Sequence, residues 1–175
     1  QGSILSPYIF NVFINDLLLE LEESPYGLKI GKHKFNSLAY ADDVNTFAAG
    51  TSDLQKLVDI CFHYSRKWRF VFGIKKTKFF ISGYKRLVIN PILRLGDVQI
   101  PLTDSFEVLG KVFTQDGRSA SHILERISKS RQALFGLGFN NEELCPSVKS
   151  HIWKSVGVSS LLYSVCTGPI SSGEL

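Results

Sequence analysis

Two patterns in this sequence could do chemistry. The first is Tyr40-Ala41-Asp42-Asp43, two adjacent carboxylates between apolar runs, with Phe35, Leu38 and Ala39 before them and Val44, Phe47, Ala48 and Ala49 after. An apolar-acid-acid-apolar order predicts a hairpin whose tip carries both acids. Neighbouring like charges repel and resist desolvation, so such a tip needs a cation or hydrogen-bond donors close by. Facing a cleft, the pair would take a divalent ion, because hard carboxylate oxygens suit Mg²⁺. Facing water, it would be an ordinary turn pair, since Asp readily bonds its own backbone. The dipeptide alone fits either.

The second pattern is the distribution of charge. Residues 60–96 carry nine Lys and Arg and no acid, whereas residues 1–59 carry four basic and eight acidic side chains. Within the basic block stand Trp68, Phe70, Phe72, Phe79, Phe80 and Tyr84. Cations interleaved with aromatic rings suit the backbone and bases of a nucleic acid. They also suit a solvated basic face over a core rich in Phe.

Elements must hold these groups in place. Ser6 and Pro7 predict the start of a helix, with Ser6 as its cap. Phe10, Phe13, Ile14, Leu17 and Leu21 give that helix one apolar stripe. Leu28 to Phe35 predicts a hairpin turning at Gly31-Lys32, whose second strand runs on into Tyr40. Ser52 and Gln55 form a capping-box signature for a second helix through Leu54, Leu57, Val58, Cys61 and Trp68. Lys78 to Ile81 predicts a strand, Ile92 to Ile100 a hairpin about Gly96-Asp97, and Phe106 to Phe113 a strand with Leu109-Gly110 inside it. Helical spacing then returns with Ile123, Leu124, Ile127, Leu134 and Phe135, and Pro146 opens a further helix. The character changes near Gly117, mixed before it and helical after it.

Composition excludes several classes. The 175 residues are enough for one domain with a real core, at an apolar fraction of 44%. No run approaches the ~18 apolar residues of a membrane helix. Three cysteines, odd in number and far apart, argue against a disulfide framework and give no zinc spacing, so a reducing compartment is expected. The sequence opens on Gln1 and contains no Met, and an internal piece of a longer protein is expected.

Taken in order, Gln1-Gly2-Ser3-Ile4-Leu5-Ser6-Pro7, Phe10-Asn11, Tyr40-Ala41-Asp42-Asp43, Trp68 with Lys75-Lys76-Thr77-Lys78, and Val108-Leu109-Gly110 resemble consecutive blocks of a reverse transcriptase of the non-LTR (LINE-type) retrotransposons. The resemblance implies an α+β fold. Residues 1–117 would be a right-hand polymerase palm, an antiparallel sheet with packed helices, and residues 118–175 the start of a helical thumb, with the fingers and first palm strand missing. It implies an RNA-directed DNA polymerase, a nucleotidyltransferase acting by two-metal phosphoryl transfer.

By the same resemblance Asp42 and Asp43 are metal ligands for Mg²⁺, with Mn²⁺ possible, and Tyr40 lines the floor near the primer end. Gln1 and Gly2 meet the incoming nucleotide or template. Lys76 attends the triphosphate, with Lys75 and Lys78 beside it, and Leu109 and Gly110 form the primer grip. One departure is Phe72-Gly73, where the family commonly has an Asn before the lysine block. The implied partners are an RNA template, a DNA primer and deoxynucleoside triphosphates, in the nucleus or cytoplasm and with no membrane. The family's third carboxylate lies ahead of the Gln-Gly block, so this stretch alone is expected to be inactive. The alternative is a catalytically dead retroelement remnant that at most binds nucleic acid.

Overall fold

The computed structural model describes residues 3–83 and 91–167. The apolar stripe of helix α1 (Ser6–Glu23) is the face it buries: Ile14, Leu17 and Leu21 meet Leu57, Cys61 and Tyr64 of helix α2 (Thr51–Trp68) in one core cluster. Phe10 and Phe13 pack against its edge. Buried Tyr64 was not legible as core, and its one polar atom is satisfied by a 2.5 Å bond from the hydroxyl to the carbonyl of Phe13. Trp68, expected on the buried stripe, is 47% exposed and meets the Phe13 ring in a T-shaped contact at 5.6 Å between centroids.

Neither helix is capped as its local signature predicts. Ser6 lies inside the first turn of α1 behind Leu5, although Pro7 does take an opening position. Helix α2 starts at Thr51 behind an extended Gly50 and has no side-chain cap. Gln55 is used elsewhere. Its carboxamide donates to the Arg94 carbonyl and accepts from the Arg94 N–H, both at 2.8 Å, and so fastens α2 to strand β6 (Leu93–Leu95). A Gln amide carries the same donor and acceptor as a peptide, so it satisfies a strand edge twice where a cap would use it once.

Strand β1 (Leu28–Ile30) pairs with β2 (His33–Phe35) about Gly31-Lys32, as expected. The second strand does not run on to Tyr40. It breaks at Asn36, whose buried carboxamide donates to the carbonyls of Leu21 and Tyr26 and to the Ser24 hydroxyl. These acceptors lie at and beyond the end of α1, where helix carbonyls lack partners. Turning one polar side chain inward breaks the alternation of the strand. Strand β3 (Ser37–Tyr40) then pairs with β4 (Asp43–Thr46), and β6 with β7 (Val98–Ile100). The fold is mixed helix and strand, but no single antiparallel sheet forms among the described residues: every described strand has one partner.

Beyond strands β5 (Phe79–Phe80) and β8 (Leu102–Thr103), the strand expected over Phe106 to Phe113 is a hairpin, β9 (Ser105–Val108) with β10 (Lys111–Thr114). Leu109 and Gly110 form its two-residue turn at φ 50° and 77°. Positive φ at both central positions matches the twist of the flanking strands. Gly110 adopts it freely, whereas Leu109 does so against its own preference, which is why the local sequence reads as strand.

Helix α3 (Ala120–Gly136) buries His122, Ser130 and Leu134. Leu124 and Phe135, expected inside, are 68% and 54% exposed. Helix α4 (Pro146–Ile152) continues through a π turn, Trp153–Val158, into α5 (Ser159–Leu162). The Ser130 hydroxyl donates to the Gly157 carbonyl at 2.9 Å. A Cβ on Gly157 would stand 2.6 Å from the Trp153 ring and 3.2 Å from Leu134. Two small residues let the backbones approach, and that closeness selects which face of α3 is buried. Contacts divide the described residues into two compact units, residues 3–79 with 91–101 and residues 80–83 with 102–167.

Candidate active site

The two carboxylates stand at the tip of the β3–β4 hairpin. Ala41 and Asp42 make the turn, Ala41 with φ 51°, and Tyr40 pairs with Asp43 as its closing residues. Tyr40, Asp42 and Asp43 are all exposed. Among the described residues neither carboxylate takes part in an ion pair or a side-chain hydrogen bond. The base of the hairpin is fixed. Val44 and Ala48 pack on the α1–α2 core, and the Phe47 N–H donates to the Asn36 carbonyl at 2.9 Å, beside the buried Asn36 amide. A firm base with open oxygen atoms at its tip suits a hard divalent ion. Two carboxylates make part of a ligand set: no group of three metal-ligating side chains occurs among the described residues.

The lysine block is held by the same core. At the end of α2, Arg69 takes a left-handed conformation, φ 55°, and the Phe70 N–H closes back on the Ser65 carbonyl at 3.0 Å. That reversal returns Phe70 and Phe72 onto the core. Gly73 to Thr77 then form a tight turn: the Lys76 and Thr77 N–H groups bond the Gly73 carbonyl at 2.8 and 3.0 Å, and the Thr77 hydroxyl bonds it at 3.2 Å. Lys75, Lys76 and Lys78 project outward, exposed and outside any ion pair among the described residues. Hairpin and lysine turn therefore hang from one cluster, and no ion pair joins their side chains among the described residues.

The basic block separates by residue type. Phe70 and Phe72 pack against the core, Phe79 is buried, and Phe80 stacks on Phe106 at 6.5 Å between ring centroids. Those rings are packing. Arg66, Lys67 and Arg69 are exposed, with the Lys67 ammonium 5.8 Å from the Trp68 ring centroid. Gln1, Gly2 and Tyr84 lie outside the described residues.

Leu109 and Gly110 belong to the second compact unit, where they form the β9–β10 turn. The Tyr163 hydroxyl donates to the Leu109 carbonyl at 2.7 Å. Sequence reasoning passed over Tyr163 and buried His122, and no spacing signalled either. Asn36 likewise carries no motif, and only its partners mark it.

Comparison with known proteins agrees with the motifs. The family model described as reverse transcriptase (RNA-dependent DNA polymerase) matches residues 1–130. The Retrovirus-related Pol polyprotein from type-2 retrotransposable element R2DM of Drosophila melanogaster is 28% identical over 187 positions, taking in all of this chain and 17% of that polyprotein. The corresponding polyprotein from type-1 retrotransposable element R2 of Popillia japonica is 26% identical over 183 positions, again all of this chain and 25% of the relative. The chain thus spans a quarter or less of the length of these relatives. No solved structure matches. With the family model covering well over half of its residues, the chain belongs to the reverse transcriptase (RNA-dependent DNA polymerase) family, in its non-LTR retrotransposon branch.

Proposed function

We propose that this chain supplies the palm hairpin and the beginning of the thumb of an RNA-directed DNA polymerase, which extends a DNA primer on an RNA template with deoxynucleoside triphosphates. The observation that carries the reading is the pair of open carboxylates, Asp42 and Asp43, at the tip of a hairpin anchored on the α1–α2 core. These two residues would hold a divalent ion, Mg²⁺ or Mn²⁺. When bound, that ion neutralises charge and lowers the pKa of an attacking hydroxyl. The hairpin sets the two acids side by side, Asp42 within the turn and Asp43 closing it, on strands anchored to the core. Tyr40, beside Asp43 in the ladder, offers an exposed ring for the primer end to rest on.

Lys76 is the donor we assign to the triphosphate, with Lys75 and Lys78 adding positive charge on the same exposed turn. Gln1 and Gly2 take the incoming nucleotide or template, as the family pattern has it. In the second unit Leu109 and Gly110 meet the primer end. Exposed apolar side chains support a missing neighbour of the palm: Tyr8, Ile9 and Val12 on α1 are 69%, 65% and 74% exposed, and Leu38 on β3 is 52% exposed. A segment bearing the third carboxylate would cover them. No described helix is long and apolar enough to cross a membrane, and a nuclear or cytoplasmic place suits the proposed substrates.

The test is primer extension by this chain joined behind a segment that supplies the third carboxylate. Asp42→Asn should abolish extension while primer-template binding stays within about twofold, since the change removes one exposed charge. A variant that still extends the primer removes Asp42 from the site.

A further inference from the structure

We propose that Tyr163 is a positioning residue that holds the Leu109–Gly110 turn in shape for the primer end. The positioning role rests on the reading above that this turn meets the primer. The latch itself rests on geometry alone.

A turn with a leucine at φ 50° is poorly supported by its own backbone. A bond from outside the hairpin would therefore stabilise it. The Tyr163 hydroxyl does so by donating to the Leu109 carbonyl at 2.7 Å. The Tyr163 ring also lies against Gly110: a Cβ there would stand 3.2 Å from Tyr163 Cε1, so the absence of a side chain at position 110 gives the ring its seat.

Tyr163 is in turn fixed from its own side. It ends α5, and its carbonyl lies 3.2 Å from Nε2 of His122, which is buried. Nδ1 of His122 accepts the Val112 N–H at 3.3 Å. An accepting Nδ1 places the imidazole proton on Nε2, where it is donated to the Tyr163 carbonyl. The same imidazole therefore ties β10 to the end of α5. Arg126 completes the arrangement, with its guanidinium 5.0 Å from the Tyr163 ring centroid and its Nε bonded to the Ser160 carbonyl at 2.7 Å. The turn, β10, α3 and the end of α5 thus share one polar network within one compact unit. A movement at the end of α5 would move the Leu109 carbonyl with it.

Two readouts on the 175-residue chain test this, one for the latch and one for the primer. Tyr163→Phe removes the hydroxyl and keeps the ring; Tyr163→Leu removes both. His122 bonds the main chain of Tyr163, so that tether survives either change. Hydrogen exchange at the amides of residues 109–112 should quicken about fivefold in Tyr163→Phe, the expected effect of losing one ordinary hydrogen bond, and more in Tyr163→Leu. Unchanged exchange overturns the latch.

A primer ending in 4-thiothymidine, annealed to an RNA template, should photo-crosslink to residues 105–114 of the unaltered chain. The yield should fall at least threefold in Tyr163→Phe, with total primer-template affinity within twofold. A purely structural hydroxyl would leave the crosslink in place. Crosslinking to 105–114 that Tyr163→Phe does not change overturns the positioning role while the primer reading stands. No crosslink to 105–114 in the unaltered chain overturns the primer reading, and the positioning role with it.

Discussion

Tyr40 and Asp43 face each other as the closing pair of the β3–β4 ladder, with only Ala41 and Asp42 between them. One consequence is that the aromatic ring and the two carboxylates of the motif are held by the shortest of hairpin turns. Another is that the site depends on a base it does not touch. Val44 and Ala48 rest on the α1–α2 core, and Asn36 secures the start of the hairpin. Chemistry at the tip and stability at the base can therefore be altered separately.

Asn36→Ala should destabilise the fold by about 2 kcal/mol, because a buried amide leaves the carbonyls of Leu21 and Tyr26 without its donors. Denaturant unfolding followed by circular dichroism checks this. A change below about 0.5 kcal/mol, the range of ordinary surface substitutions, would show that the amide does not secure the hairpin.

The thiol of Cys61 gives a pH signature. Burial pushes it up from 9.0 to about 12, with the carboxylate of Glu20 adding to the rise. A folded-state value above the unfolded one means the folded state keeps its proton longer. The stability this group contributes is then present below pH 9 and is lost as pH rises toward about 12. Unfolding free energy should fall through that window by up to about 1.4 kcal/mol per pH unit more than in Cys61→Ala. Equal slopes in the two proteins would contradict a buried, protonated Cys61.

Thiol chemistry should also separate two cysteines. Cys145 is exposed, and its hydrogen bonds with the Ser147 hydroxyl and from the Val148 N–H lower its pKa. Iodoacetamide at pH 8 followed by peptide mass spectrometry should label Cys145 first and leave Cys61 unmodified until the protein unfolds. Labelling of Cys61 at a comparable rate would place it at the surface.

Primer-template binding should weaken steeply with salt. Arg66, Lys67, Arg69, Lys75, Lys76 and Lys78 are exposed on the first unit. If about four of them neutralise phosphates, affinity should fall about a hundredfold between about 50 and 200 mM salt. Fluorescence anisotropy measures this directly, and a salt-independent affinity would make these cations a solvated face only.

How far the sequence showed all this depends on where packing was decided. The stripe Phe10, Phe13, Ile14, Leu17 and Leu21 defined the buried side of α1, because large apolar residues at helical spacing leave one way to pack. The Asp hairpin was legible for a similar reason: two acids cannot sit in the middle of an apolar pair of strands, so they become the tip. The α3 face was not legible. Ser130 and His122 are buried there through bonds to Gly157 and Tyr163, and those partners lie 27 and 41 residues away. Leu109 likewise resembles a strand residue, and the hydroxyl that meets its carbonyl in the turn, that of Tyr163, lies 54 residues away. At the site, exposure of Asp42, Asp43 and the lysines followed from their charge, whereas the Asn36 anchor beneath them carried no local signal.

The central claim is that Asp42 and Asp43 hold a divalent ion, and Mn²⁺ titration followed by NMR tests it most directly. Paramagnetic broadening should appear first at the amides of residues 40–44 and should vanish in the Asp42→Asn, Asp43→Asn double variant, with the remaining spectrum unchanged. Broadening that starts elsewhere, or that persists at residues 40–44 without the two carboxylates, would contradict it.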